Sequence, residues 1–305
     1  MAINLGRTLI IVNPVAQSGK GSKNGHKTFD ILRVNYHQDV DLFYTKHDGH
    51  AMKIAEDSAK YDSVIVVGGD GVVHEAASGI MQIPKKDRPI MGVIPVGSGN
   101  DYARSLGMSF KVDRAVKQLM HAKVKEVDVG QCNDKYFVET LSFGLDAGIA
   151  IDTMKARQKS KEKGFKLYFK CGIDRIMNHF EFLDFEAILD RRKKINGHSV
   201  IFAIQIGKTY GGGFKITPDA ELDDGYFNMC YSVGDLTRKK MLPLFARAAR
   251  GKHVGSKHVA FAKSKNIKLH IDQLVPCQLD GEEYSSHDFD IKTHHKALKV
   301  YTNNN

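Results

Sequence analysis

Three glycine-bearing junctions stand in the first third of the sequence, each after a run of β-branched residues. The most informative is Gly68-Gly69-Asp70-Gly71-Val72-Val73-His74-Glu75, entered from Val64-Ile65-Val66-Val67 and leading into a helical pattern. Glycines at a strand-to-helix junction let a phosphate approach backbone N–H groups, and the helix N-terminus adds partial positive charge. An Asp among them has a separate task, such as holding a metal or orienting a hydroxyl. Pro95-Val96-Gly97-Ser98-Gly99-Asn100-Asp101 repeats the design one strand later, and Asn13-Pro14 to Gly19-Lys20-Gly21 precedes both. Any one glycine pair is most simply a tight turn, but three junctions at strand ends can converge on one anionic ligand. Farther along, Asp280-Gly281-Glu282 follows the apolar run from Val275 to Leu279. Such a carboxylate can act as a general base, or the pair can simply close a hairpin. Between Asp219 and Asp224 four carboxylates occupy six residues, a density that needs either solvent or a cation that prefers oxygen.

Several other chemistries are excluded by spacing. The first junction is not a Walker A loop, because Pro14 takes the place of the first Gly and Gly21 that of the Ser or Thr. Gly97-Ser98-Gly99 does not complete a dinucleotide fingerprint, since Tyr102 stands where the third Gly belongs. It is also one residue too compact for a hydrolase nucleophile elbow. His74-Glu75 begins like a zincin motif, but Ser78 occupies the second His position.

The elements that must position these residues follow from hydrophobic period. Up to residue 128, short apolar runs (Leu9 to Val12, Val40 to Thr45, Val64 to Val67, Met91 to Ile94) alternate with helical patterns (Gly25 to Tyr36, Gly49 to Lys60, Val72 to Met81, Asp101 to Leu106). That alternation predicts a parallel, helix-covered sheet with ligands at the carboxyl ends of its strands. Thereafter longer alternating segments predict an antiparallel half: Tyr136 to Ser142, Phe182 to Leu189, Ser199 to Ile206, Tyr226 to Tyr231, Ile267 to Ile271 and Val275 to Leu279, with a helix from Arg238 to Arg250. Asn196-Gly197 is expected to turn a hairpin, with the basic run Arg191 to Lys194 at its tip. Asn303 to Asn305 is expected to fray.

At 305 residues the chain has room for two domains of about 150 residues each. Apolar residues make up 42% and charged residues 26%, which excludes a chain disordered throughout. Forty-five Lys and Arg against 35 Asp and Glu give a net charge of +10, pointing to a phosphate-bearing or anionic partner. The four cysteines stand at least 39 positions apart with no CxxC pair, so free thiols in a reducing, cytoplasmic setting are expected. No apolar run reaches the roughly 20 residues of a bilayer span. Seven basic residues (Lys155, Arg157, Lys159, Lys161, Lys163, Lys166, Lys170) against Glu162 alternate with Phe165, Leu167, Tyr168 and Phe169. They form either a solvated helix face or a docking surface for an anionic leaflet.

At its glycine junctions the chain resembles the diacylglycerol kinase catalytic family, which includes bacterial lipid kinases and sphingosine kinases. Asn13-Pro14, Gly19-Lys20, Gly68 to Glu75, Pro95 to Arg104, Glu221 to Tyr226 and Leu279 to Glu282 match the family pattern in order and separation. Val72 replaces the usual Thr, His74 the frequent Asn, and Ser98 the usual Thr of the second loop. The resemblance implies an N-terminal parallel α/β nucleotide-binding domain (1–128 and about 292–305), a β-rich antiparallel sandwich domain (129–291), a terminal strand returning to the first domain, and an active site between the two. It implies ATP cradled by Gly69 to Gly71 and Gly97 to Gly99 with Asn13, Lys20, Thr45, Glu75, Ser98 and Asn100, and Mg²⁺ near Asp70 and Asp101. It makes Asp280 the base with Glu282 supporting, and puts a structural Mg²⁺ on Glu221, Asp224 and the Tyr226 carbonyl. The implied reaction is phosphorylation of diacylglycerol to phosphatidic acid by a cytoplasmic enzyme working at the membrane surface. Another lipid (phosphatidylglycerol, a sphingoid base, an undecaprenol-like alcohol) or, more distantly, NAD stays open as the acceptor. A catalytically silent binder of lipid or nucleic acid is the rival from another class, with nucleic acid disfavoured, and a homodimer stays open.

Overall fold

The computed structural model describes residues 2–157 and 162–304. It divides into two compact units, Met1–Val129 with Lys296–Asn305, and Gly130–His295. Lys159 and Lys161 of the basic segment, and Asn305, lie outside the described residues.

The first unit runs β1 (Thr8–Val12), α1 (Ala16–Gly19), α2 (Gly21–Asp30), β2 (Val40–Tyr44), α3 (His50–Glu56), β3 (Ser63–Gly68), α4 (Asp70–Gln82), β4 (Ile90–Pro95), α5 (Asp101–Ser105), α6 (Val112–Leu119) and the start of β5 (Lys123–Cys132). Its strands stand in the order β2-β1-β3-β4, all parallel. Every residue of β1 and β3 is buried, as a sheet covered on both faces requires. Register pairs Val12 with Val67, and Val67 with Ile94. Asn13, Gly69 and Val96 therefore leave the sheet at one edge, which is how three junctions distant in sequence become neighbours.

The second unit continues with β6 (Lys135–Phe137), β7 (Thr140–Gly144), α7 (Leu145–Arg157), α8 (Gly164–Asn178), β8 (Leu183–Leu189), β9 (Lys193–Ser199), β10 (Ile201–Gln205), β11 (Phe227–Ser232), α9 (Arg238–Ala248), β12 (Val259–Ser264), β13 (Asn266–Ile271), β14 (Cys277–Leu279), β15 (Glu282–Tyr284) and β16 (Asp288–Thr302). One sheet is ordered β12-β11-β10-β7-β14-β15. The other joins β9, β8, β13 and the start of β16, all antiparallel. Leu141, Phe143, Phe185, Phe202, Leu269 and Phe289 fill a core with residues from both sheets. A second core gathers Leu145 and Ile149 of α7, Tyr168 of α8 and Phe245 of α9. The end of β16 belongs to the first unit, where Val300 pairs in parallel with Met91 and the Tyr301 hydroxyl meets Ser63 Oγ at 2.8 Å. The terminal strand thus returns to the first unit, as the resemblance implies.

Three local expectations are corrected. Asn196-Gly197 does not turn: it lies inside β9, opposite Glu186 and Phe185. The turn is at Asp190-Arg191, both at positive φ (49° and 62°), where the Asp190 carboxylate accepts the N–H groups of Lys265 and Asn266. The run Tyr136 to Ser142 is broken between β6 and β7, because Val138, Glu139 and Thr140 turn their N–H groups to a side chain described below. Asn303 and Asn304 are tied rather than frayed, through Asn303 N–H to the Leu106 carbonyl and Asn304 Nδ2 to the Ser105 carbonyl.

Candidate active site

In the first unit the two inner glycine junctions touch backbone to backbone. A Cβ on Gly69 would stand 2.9 Å from Gly97 Cα, closer than real Cβ contacts come. The Asp70 carboxylate then ties one loop to the other: Oδ2 accepts the Asn100 N–H at 2.7 Å and Oδ1 the Tyr102 N–H at 3.2 Å. Asn100, left-handed at φ 56°, closes its own loop by accepting the Gly97 N–H at 2.8 Å and donating to the Gly97 carbonyl at 3.0 Å. Besides the metal or hydroxyl role that the sequence suggests for it, Asp70 is by its bonds the brace of the second loop. The Asp70 and Asp101 carboxylates converge beside Gly99, with Oδ2 atoms 2.7 and 3.2 Å from where a Gly99 Cβ would stand.

The remaining predicted nucleotide residues surround this edge in different ways. Asn13 donates its N–H to the Val67 carbonyl at 3.1 Å and accepts the Val15 N–H on Oδ1 at 3.1 Å. The Thr45 N–H extends the β1–β2 pairing by bonding the Val12 carbonyl at 2.9 Å. Glu75 caps α3, taking the N–H groups of Gly49 at 2.9 Å and Ala51 at 3.0 Å, and so fixes the loop that carries Thr45. Lys20 is exposed between α1 and α2, while Gly71 and Ser98 are half-buried. Val72, where the family pattern has Thr, is buried with its side chain against Gly68. Its methyl groups pack the turn where a hydroxyl could have faced the ligand.

Replacing Gly69 by Ala forces the two loops apart, at a cost of about 1–3 kcal/mol for an overpacked site. The expected result is at least a tenfold loss of ATP affinity by calorimetry. Parental affinity would show that the contact between the loops is not needed for the nucleotide.

In the second unit Asp280 sits in the turn between β14 and β15 at φ 47°. Its buried carboxylate accepts three backbone N–H groups: Val138 on Oδ2 at 2.7 Å, and Glu139 and Thr140 on Oδ1 at 2.9 and 2.8 Å. These bonds mark the break in the chain between β6 and β7 and hold the carboxylate in one orientation. Glu282 opens β15 and is exposed. Gln278, which no motif singles out, accepts the Gly281 N–H at 2.6 Å and so shapes the same turn.

The acidic turn does not have the donors the resemblance implies. Asp224 Oδ2 is paired with Lys263 Nζ at 2.9 Å and Oδ1 accepts the Tyr226 N–H at 3.0 Å, while Glu221 is exposed. An ammonium group stands where a divalent ion would need the carboxylate. Among the described residues no group of three or more His, Cys, Asp or Glu side chains is arranged to hold a metal. The expected structural Mg²⁺ on Glu221, Asp224 and Tyr226 therefore does not fit these residues as placed.

Residues 7–132 match the model of the diacylglycerol kinase catalytic domain, and residues 139–302 that of the YegS C-terminal NAD kinase β-sandwich-like domain. A diacylglycerol kinase from Staphylococcus aureus is 30% identical over 284 residues, covering 90% of this chain and 86% of its own. The chain belongs to the diacylglycerol kinase family. A crystal structure of a diacylglycerol kinase from Bacillus anthracis matches 98% of this chain and 97% of its own, with TM-score 0.77 at 22% identity. An NAD kinase from Archaeoglobus fulgidus, solved with ATP, matches at TM-score 0.52 and 12% identity, over 97% of this chain and 94% of its own. The α/β unit followed by an antiparallel β unit is thus the fold of this family, and this kinase carries its glycine junctions at the carboxyl edge of the parallel sheet.

Proposed function

We propose that this kinase moves the γ-phosphoryl group of ATP to the hydroxyl of diacylglycerol, giving phosphatidic acid and ADP. The observation that carries the nucleotide half is the Asp70 brace, which fixes two glycine loops against each other at the head of α4. Backbone N–H groups preset in this way stabilise charge on a transferring phosphoryl group without reorganising during reaction. The converging Asp70 and Asp101 carboxylates suit the Mg²⁺ that accompanies ATP, held directly or through water, since Mg²⁺ keeps several waters. That ion would neutralise charge on the phosphate oxygens. In the second unit Asp280 takes the acceptor's hydroxyl proton as the oxygen bonds to phosphorus and the bond to ADP breaks. Its fixed orientation among three N–H groups supports this role.

The acceptor is a lipid, so the enzyme works at a membrane surface. Support comes from α8, where Phe165, Ile173 and Met177 are 42%, 41% and 49% exposed, beside the exposed cations Lys163, Lys166 and Lys170. Glu162 pairs with Lys166 and Lys170 at 3.1 and 3.6 Å, which tempers the charge. Each cation near an anionic leaflet is worth about 1 kcal/mol. Among the described residues no helix is long and apolar enough to cross a membrane.

The test of the acceptor is a competition. Labelled ATP is given to the enzyme with diacylglycerol, phosphatidylglycerol, a sphingoid base, undecaprenol and NAD together. Label in phosphatidic acid is expected; label in NAD with every lipid unlabelled would overturn the reading.

A further inference from the structure

We propose that Gln278 is a positioning residue for Asp280, an inference that rests on Asp280 being the base. Successive residues along β7, β10 and β14 face opposite ways. Leu141, Phe143, Ile204 and Leu279 enter the core between the sheets. Thr140, Ser142, Gln205 and Gln278 consequently share the other face, and all four are buried. Buried amides and hydroxyls are costly unless bonded, and these are bonded as cross-strand pairs. Gln205 Nε2 donates to Thr140 Oγ1 at 2.6 Å, and Gln278 Nε2 donates to its register partner Ser142 at 2.8 Å.

Both pairs end at the Asp280 turn. Thr140 gives its N–H to Asp280 Oδ1 at 2.8 Å, while Gln278 Oε1 accepts the Gly281 N–H at 2.6 Å. The Gly281 N–H can only donate, so it must face the oxygen of the Gln278 amide, and the NH₂ group is left for Ser142. The amide is thereby held at both ends. It in turn pins a turn in which Asp280 and Gly281 are both at positive φ, 47° and 99°. Left-handed backbone costs a non-glycine residue roughly 1–2 kcal/mol, so the turn needs such bonds to persist. Without the amide, the turn relaxes and the carboxylate shifts from its three N–H donors. A displacement near 1 Å at a reacting group can cost about 100-fold in rate.

The test compares Gln278→Met, Gln278→Glu, Ser142→Ala and Asp280→Asn in transfer of labelled phosphate to diacylglycerol. Gln278→Met, close in shape but with neither bond, is expected to lower kcat about 30-fold to 100-fold, with KM for ATP within about twofold. Gln278→Glu keeps an oxygen for the Gly281 N–H but buries a second carboxyl beside Asp280, so its kcat is expected to fall between those of Gln278→Met and the parent. Ser142→Ala, which frees the far end of the amide and also takes a hydroxyl from Asp146, is expected to lower kcat about tenfold. If Asp280→Asn is inactive while Gln278→Met keeps kcat within about threefold of the parent, the base stands and the positioning role is overturned. Near-parental Asp280→Asn overturns the base and this inference with it. Should Gln278→Met fail to melt cooperatively, a parental kcat in Ser142→Ala overturns the proposal in its place.

Discussion

Asp280→Asn is expected to lower kcat by about three orders of magnitude while ATP affinity stays within about twofold, because general-base catalysis contributes about 10²–10⁴-fold and the nucleotide loops belong to the first unit. Sequence reasoning makes this a clean removal of proton transfer; the structure adds a second effect. An amide at position 280 can still accept the Glu139 and Thr140 N–H groups on its oxygen, but it turns an NH₂ group toward the Val138 N–H. Two donors then face each other in a buried site, which costs about 1–3 kcal/mol. The melting temperature should therefore fall by several degrees together with kcat. Melting and ATP titration separate the two effects, since neither reads proton transfer. A variant with near-parental kcat would remove Asp280 from the chemistry whatever its stability.

The second large effect concerns Asp146, at the start of α7. It is 4% exposed, with the Tyr210 hydroxyl donating to Oδ2 at 3.1 Å. Burial pushes its carboxyl up to about 7, with Tyr210 and Ser142 partly opposing the rise. A raised carboxyl binds its proton more tightly in the folded chain than in the unfolded one. Its contribution is thus favourable below the ordinary carboxylate range and is lost as pH rises from about 4 to about 7. At about 1.4 kcal/mol per pH unit, a rise from 3.8 to about 7 amounts to on the order of 4 kcal/mol. Asp146→Asn, which stays neutral and keeps an oxygen for Tyr210, should melt on the order of 10 °C above the parent at pH 8. At pH 4 the two should nearly coincide. A gain of equal size at both pH values would show that the substitution improves packing and that no proton is involved.

The nucleotide unit was legible because its signals are local and redundant. Val64 to Val67 is a buried run, Gly68 to Gly71 can only be a junction, and the parallel register follows from strand–helix alternation. The second unit was less so. Asn196-Gly197 carries the strongest hairpin signal in the chain, yet it lies within β9 because the Asp190 carboxylate, bonded to Lys265 and Asn266, fixes the turn six residues earlier. Tyr136 to Ser142 has the alternation of one strand but is split by a carboxylate some 140 residues away, which no local window contains.

The site shows the same division. Residue types were readable at Asp70, Glu75 and Asp280, and their bonds were not. Asp70 braces a loop 30 residues on, and Glu75 caps a helix 24 residues back. The acidic turn misled because composition cannot reveal that Lys263, on the neighbouring strand β12, is paired with Asp224. Gln278 was invisible for the opposite reason: a buried glutamine two residues before an Asp-Gly turn has no motif. Its only signal is a polar residue at the centre of an otherwise apolar strand, Cys277-Gln278-Leu279.

The central claim is that the braced glycine loops and the Asp280 carboxylate together phosphorylate a lipid hydroxyl. The most direct measurement follows labelled γ-phosphate from ATP into diacylglycerol in anionic mixed micelles, with the parent beside Asp280→Asn. Labelled phosphatidic acid from the parent, and about a thousandfold less from the variant, is the predicted result. A parent that binds ATP but labels no lipid, or a variant that labels as fast as the parent, would contradict it.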